Sequence, residues 1–153
     1  MKKVITMPPP LLNIFIIDDN KADRDLMHYA LDPIPEIGGI SLAQTPDVIE
    51  EIDFFFNQNP DCQVIVFLDL HLMPFDGTVI LNELRKRYPI GVLPVVCMSG
   101  HNDEQSWAEA YEADANTFWE KPMSLDQLNI ELRSIIRFFS RDSFAFGSAQ
   151  VIE

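Results

Sequence analysis

The sequence predicts an α/β fold, a doubly wound five-stranded parallel sheet with five helices. Three observations predict it. Short apolar runs alternate with helical patterns along 153 residues. The strongest runs are apolar almost throughout, as in strands covered on both faces. Several runs end on a carboxylate, a hydroxyl or a lysine. The βα alternation implies helices on both faces of one sheet, and the length favours a single domain with one real core.

The first strand is Leu11 to Ile17, which ends in Asp18-Asp19. A helix follows from Ala22 to Leu31, with Leu26, Tyr29 and Ala30 at helical spacing, and Pro33 and Pro35 stop it. Gly38-Gly39 introduce a weak strand from Ile40 to Ala43. Thr45-Pro46-Asp47 opens the next helix, whose buried face is Val48, Ile49, Ile52, Phe55 and Phe56. The strongest strand, Cys62 to Leu68, runs into Asp69. After a loop with Pro74 and Gly77 comes a helix from Thr78 to Tyr88, apolar at Val79, Ile80, Leu81 and Leu84. The fourth strand, Val92 to Met98, is closed by Ser99-Gly100, and a short polar helix spans Asp103 to Glu112. Thr117 to Trp119 forms the fifth strand, before Glu120-Lys121-Pro122. The last helix runs from Leu125 to Phe139, capped by Ser124, with Leu128, Leu132, Ile135, Ile136 and Phe139 inward.

Composition narrows the function classes. A hydrophobic fraction of 47% with 23% charged residues describes a globular chain rather than a disordered one. No apolar run approaches the roughly 18–20 residues of a membrane span, and the prolines of Met1 to Pro10 break any signal-peptide core, so a cytoplasmic protein is expected. A net charge of −13 repels phosphate backbones and argues against nucleic-acid binding. That charge is either a solvated acidic surface or, in part, a cation site. Cys62 and Cys97 lie in apolar runs and read as two buried core thiols, and no Cys/His spacing suits zinc.

In sheets of this kind ligands bind outside the carboxyl ends of the strands. Asp18, Asp19, Asp69, Ser99 and Lys121 all fall at such ends and can share one crevice. Each has an ordinary alternative: Asp18 and Asp19 as helix cap and solvated neighbour, Asp69 capping a turn, Ser99 a loop hydroxyl, Lys121 an exposed cation. Together, three carboxylates invite a hard divalent ion with oxygen ligands, Mg²⁺ above all. A lysine and a hydroxyl beside them suit a transferring phosphoryl group, with a carboxylate as covalent acceptor.

Across about Leu12 to Phe139 the chain resembles the receiver domain of bacterial two-component response regulators, a flavodoxin-like fold. The motifs are Ile17-Asp18-Asp19-Asn20, Leu68-Asp69-Leu70 with Asp76-Gly77, Met98-Ser99-Gly100 and Lys121-Pro122, in order and at intervals like the family's. The resemblance implies that Asp69 is the phosphoacceptor. It implies that Asp18, Asp19 and Asp69 hold Mg²⁺ together with the backbone carbonyl of His71. Ser99 becomes the switch hydroxyl, Lys121 the cation that pairs with Asp69 and then with the phosphoryl group, and Phe118 the aromatic switch, although a strand aromatic in the core is the equal alternative. The resemblance also puts His71 and His101 at positions that tune water access to the aspartyl phosphate, with neutral solvent-exposed histidines as the ordinary alternative. Two departures stand out: Pro74 comes one residue later than the family's usual proline, and the Asp19 to Asp69 stretch is longer than usual around Pro33 to Gly39.

The expected organisation is an N-terminal tail (1–10), a receiver domain (11–140) and a C-terminal tail (141–153), in which Phe144 and Phe146 form a docking element or a loose end. The expected function is that of a stand-alone switch, not an enzyme beyond its own phosphorylation and dephosphorylation. It takes the phosphoryl group from a sensor histidine kinase or a histidine phosphotransfer protein. Its output passes through the face of the fourth helix, fifth strand and fifth helix to a protein partner, a phosphotransfer domain or a second copy in a homodimer. The alternatives are a phosphorylation-independent scaffold on the same fold and a haloacid-dehalogenase-like phosphatase. The latter needs a second aspartate where His71 stands.

Overall fold

The computed structural model describes residues 12–43, 47–99 and 104–140. Within them the order is β1 (Leu12–Ile17), α1 (Lys21–Leu31), β2 (Ile37–Ala43), α2 (Val48–Gln58), β3 (Gln63–Asp69), α3 (Gly77–Arg87), β4 (Val95–Ser99), α4 (Glu104–Glu112), β5 (Thr117–Glu120) and α5 (Leu125–Phe139). The five strands form one parallel sheet in the order β2-β1-β3-β4-β5. The chain thus winds outward from β1 in both directions, and the order reverses between β1 and β3. That switch point opens a crevice at the carboxyl ends of these two strands.

Alternation along the strands divides the core into two layers. Leu12, Ile14, Ile16, Ile65, Phe67, Val96, Met98 and Trp119 face α1 and α5, where Met27, Leu31, Leu132 and Ile136 meet them. Phe15, Ile17, Val64, Val66, Leu68, Val95 and Cys97 face the other way, against Ile52, Leu81, Leu84 and Ala110 of α2, α3 and α4. Burying β1, β3 and β4 on both sides demands apolar residues at consecutive positions, and this is why those strands read as continuous runs.

The fold class and all ten elements agree with the expectation, while several faces and bounds do not. In α1 the buried stripe is Met27, Ala30 and Leu31, and Leu26 and Tyr29 are exposed. Two overlapping apolar stripes one residue apart fit the same helix, and the sheet selects one of them. Val79 is exposed on α3, and Val92 is exposed before β4, which begins at Val95. Phe55, Phe56 and Ile135 pack only partly buried at the core's margin. Strand β2 begins at Ile37 and contains both glycines, and a Cβ on Gly39 would stand 2.7 Å from Asn13 Oδ1 on β1. Cys97 is buried, whereas Cys62 is half-buried just before β3, and both thiols are free. Ser124 caps α5 as expected, accepting from Gln127 N–H at 3.1 Å. Both tails, Leu11, Thr45, Pro46, Gly100, His101 and Asp103 lie outside the described residues.

Candidate functional site

The crevice is built from five segments. Asp18 follows β1, and its backbone N–H continues the pairing with β2 through Ala43 O at 3.0 Å. Its side chain is fully buried, with Oδ1 accepting from Asn20 N–H at 2.9 Å. Asn20, rather than either aspartate, caps α1, its Oδ1 accepting from Asp23 N–H at 3.0 Å. The cap leaves Asp18 and Asp19 free to turn into the crevice. Arg24 secures the turn by donating to Asp18 O at 2.6 Å.

Asp69 is the last residue of β3 and is 7% exposed. Its Oδ1 accepts from His71 N–H at 2.9 Å, which is the turn-capping role considered for it, here combined with a place in the crevice. The following loop is pinned at both ends. Leu70 and Leu72 are buried beneath it, and Gly77 N–H donates to Leu70 O at 3.2 Å. A Cβ on Gly77 would stand 2.4 Å from Asp69 O and 2.6 Å from Leu70 Cα, so glycine lets the start of α3 lie directly against the acceptor turn. The displaced proline is absorbed locally. The Met73–Pro74 peptide is cis, Met73 N–H donates to Asp19 Oδ2 at 3.1 Å, and Asp76 still caps α3 through Thr78 N–H at 2.9 Å.

Carboxylate oxygens of Asp18, Asp19 and Asp69 lie within 4.8 Å of one another. Lys121 follows β5, anchored by its N–H to Ser99 O at 2.8 Å. Its Nζ donates to Asp18 Oδ2 at 2.9 Å and to Asp23 Oδ2 at 2.8 Å, and stands 3.8 Å from Asp69 Oδ2. Ser99 ends β4 and is buried. Phe118 on β5 is half-buried, with its ring 5.1 Å from that of Trp107 on α4. The exposed His71 brings its ring Nε2 within 3.4 Å of Ser106 Oγ on α4.

Electrostatics follow from this geometry. Burial pushes the Asp69 carboxyl up to about 6; Asp18 adds to the rise, while the His71 N–H and the Lys121 charge oppose it. For Lys121 burial acts downward, yet the hydrogen bonds to Asp23 and Asp18 and the charges of Asp18 and Asp69 prevail, and its pKa stands above the ordinary value. One ammonium does not balance the carboxylates gathered here. The donors are all oxygens on hard anionic groups, so the set fits a hard divalent cation such as Mg²⁺.

Asp18, Asp19, Asp69 and Lys121 are thus brought together, with Ser99 at the end of the strand beside Asp69. Asp23 was not anticipated. Its signal was a carboxylate one turn into the helix after Asp18-Asp19, which sequence alone cannot distinguish from an ordinary first-turn acid.

The chain is similar to several known proteins. Residues 14–133 match the family model described as "Response regulator receiver domain". The response regulator MprA of Mycobacterium sp. (strain KMS) is 25% identical over 131 residues, which cover 86% of this chain and 53% of that protein. The chain therefore spans about half the length of the curated relatives it matches first. The crystal structure of the phosphorylated cyanobacterial phytochrome response regulator RcpA superposes with a TM-score of 0.70 at 25% identity, covering 85% of this chain and 94% of that one. The receiver domain of NtrX from Brucella abortus gives a TM-score of 0.62 at 28% identity, covering 81% and 98%.

Proposed function

The chain belongs to the response regulator receiver domain family, and on that premise we propose that it is a phosphoryl-accepting switch with Asp69 as the acceptor. The observation that carries this reading is the meeting of Asp18, Asp19, Asp69 and Lys121 in one crevice at the switch point of the sheet. The likeness to RcpA, crystallised in phosphorylated form, supports it.

The donor is a phosphohistidine of a sensor histidine kinase or a phosphotransfer protein. An Asp69 carboxylate oxygen attacks phosphorus, the new O–P bond forms as the imidazole N–P bond breaks, and the histidine leaves. Asp18, Asp19, Asp69 and the backbone carbonyl of His71 are assigned to Mg²⁺, which when bound supplies positive charge to the phosphoryl oxygens. Lys121 adds a second cation on the same oxygens, and the Ser99 hydroxyl donates to one of them. Burial of Asp18 and Asp69 keeps bulk water from screening these interactions. Hydrolysis of the aspartyl phosphate resets the site, with His71 at its rim.

Phosphorylation biases a two-state equilibrium through Ser99 and Phe118. Phe118 lies half-buried against Trp107, so a change in its packing alters the α4-β5-α5 face. We assign output to that face, toward a downstream protein partner or a second copy, and take 11–140 as the receiver unit of a cytoplasmic protein that binds neither nucleic acid nor membrane. The rival is a scaffold of the same fold that signals without phosphorylation.

Intact mass after incubation with Mg²⁺ and acetyl phosphate separates the two. A single phosphoryl adduct that needs Mg²⁺ and is missing in Asp69→Asn is expected. No adduct on the natural chain, with phosphoramidate as donor as well, would favour the scaffold.

A further inference from the structure

Lys121 does not divide its charge evenly among the carboxylates around it. Its Nζ is within hydrogen-bond distance of Asp23 Oδ2 (2.8 Å) and Asp18 Oδ2 (2.9 Å), but not of Asp69 Oδ2 (3.8 Å). An ammonium has three donors, and two are engaged on the α1 side of the crevice. Asp23 is held there by its place in the first turn of α1, where Asn20 caps its N–H. Its side chain is 39% exposed, against 0% for Asp18 and 9% for Asp69, so it keeps more contact with solvent than either.

We propose that Asp23 is a positioning residue that parks the Lys121 ammonium at the α1 edge of the crevice, leaving Asp69 without a hydrogen-bonded ammonium and open to a divalent cation. The inference rests on the acceptor reading above and deepens it. An ammonium and a divalent cation compete for the same carboxylate oxygens. Without Asp23, the carboxylates left around Lys121 Nζ among the described residues are those of Asp18 and Asp69. A movement of about 1 Å brings the ammonium onto Asp69 at ordinary hydrogen-bond distance. There it occupies a lone pair that the cation needs and blunts the oxygen as a nucleophile.

Loss of a negative charge near the crevice would weaken cation binding through space as well. That effect does not require Lys121, whereas parking does. The test is a double-mutant cycle on the full chain, with Mn²⁺ affinity read from the electron paramagnetic resonance signal of the free ion. Four proteins enter it: the natural chain, Asp23→Asn, Lys121→Gln and the double variant, each checked for folding by circular dichroism. Lys121→Met replaces Lys121→Gln if the latter does not fold. Asp23→Asn is expected to raise the Mn²⁺ dissociation constant about three- to tenfold in the natural chain and less than about twofold beside Lys121→Gln. Asp23→Glu should restore most of the affinity. Asp25→Asn, an equal charge loss on the exposed side of α1, should change it less than about twofold.

Equal weakening in both lysine backgrounds, or no weakening in either, would overturn the parking role while leaving the acceptor reading intact. A natural chain that binds no Mn²⁺ would overturn both.

Discussion

Removing the charge of Asp69 is expected to stabilise the folded chain. Burial pushes this carboxyl from 3.8 up to about 6, so its ionised form is disfavoured by folding. The displacement is about two units, and at about 1.4 kcal/mol per unit it costs the folded state about 3 kcal/mol once the group is ionised in both states. The direction with pH follows. Between pH 3.8 and about 6 the folded chain keeps a proton that the unfolded chain has released, so stability falls as pH rises through that window. Above it the loss is constant, and below it both states are protonated and the loss vanishes.

Asparagine keeps the shape of the side chain and an oxygen able to accept from His71 N–H at 2.9 Å, so charge is the main change. Urea unfolding in EDTA, followed by tryptophan fluorescence, should find Asp69→Asn more stable by about 2–3 kcal/mol at pH 7.5, the difference shrinking to about 0.5 kcal/mol near pH 4. Divalent cation at 100 times its dissociation constant should then raise the natural chain by about 2.7 kcal/mol and largely close the gap. Asp69→Asn equal to or less stable than the natural chain at pH 7.5, or an identical difference at both pH values, would refute the reasoning.

Other substitutions probe the scaffold. Gly77→Ala drives a Cβ into the backbone of Asp69 and Leu70, and a loss of about 1–3 kcal/mol is expected from thermal unfolding. Phe67→Ala empties a fully buried position packed edge-on against Trp119, and should cost about 3–5 kcal/mol in urea with a change in tryptophan emission. Phe54→Ala, on the exposed side of α2, should stay within about 0.5 kcal/mol. Ser124→Ala removes the acceptor for Gln127 N–H, and a loss of about 1 kcal/mol in the same assay is expected.

The sequence by itself determined the layer architecture. Strands buried on both faces must be apolar at nearly every position, so β1, β3 and β4 announce themselves, and a parallel sheet then requires the helices between them. It also placed the candidate site, because the ends of those strands are where a polar residue first follows the apolar run. Asp18, Asp19, Asp69 and Ser99 are legible for that reason, whereas Lys121 stands one residue beyond Glu120 after β5 and is singled out by the resemblance to receiver domains.

Tertiary structure decided what depends on neighbours distant in the chain. Leu26 and Tyr29 form as good a helical stripe as Met27 and Leu31, and only the sheet beneath α1 selects between them. Gly39 reads as the lead-in to a strand until Asn13 is seen across from it on β1. Asp23 is an unremarked first-turn acid until the chain has closed through β5 and brought Lys121, nearly a hundred residues later, to 2.8 Å from its carboxylate. Helix and strand periods are local properties that sequence spacing records. The choice of partner for a charged side chain is a property of the closed sheet, and no spacing along the chain encodes it.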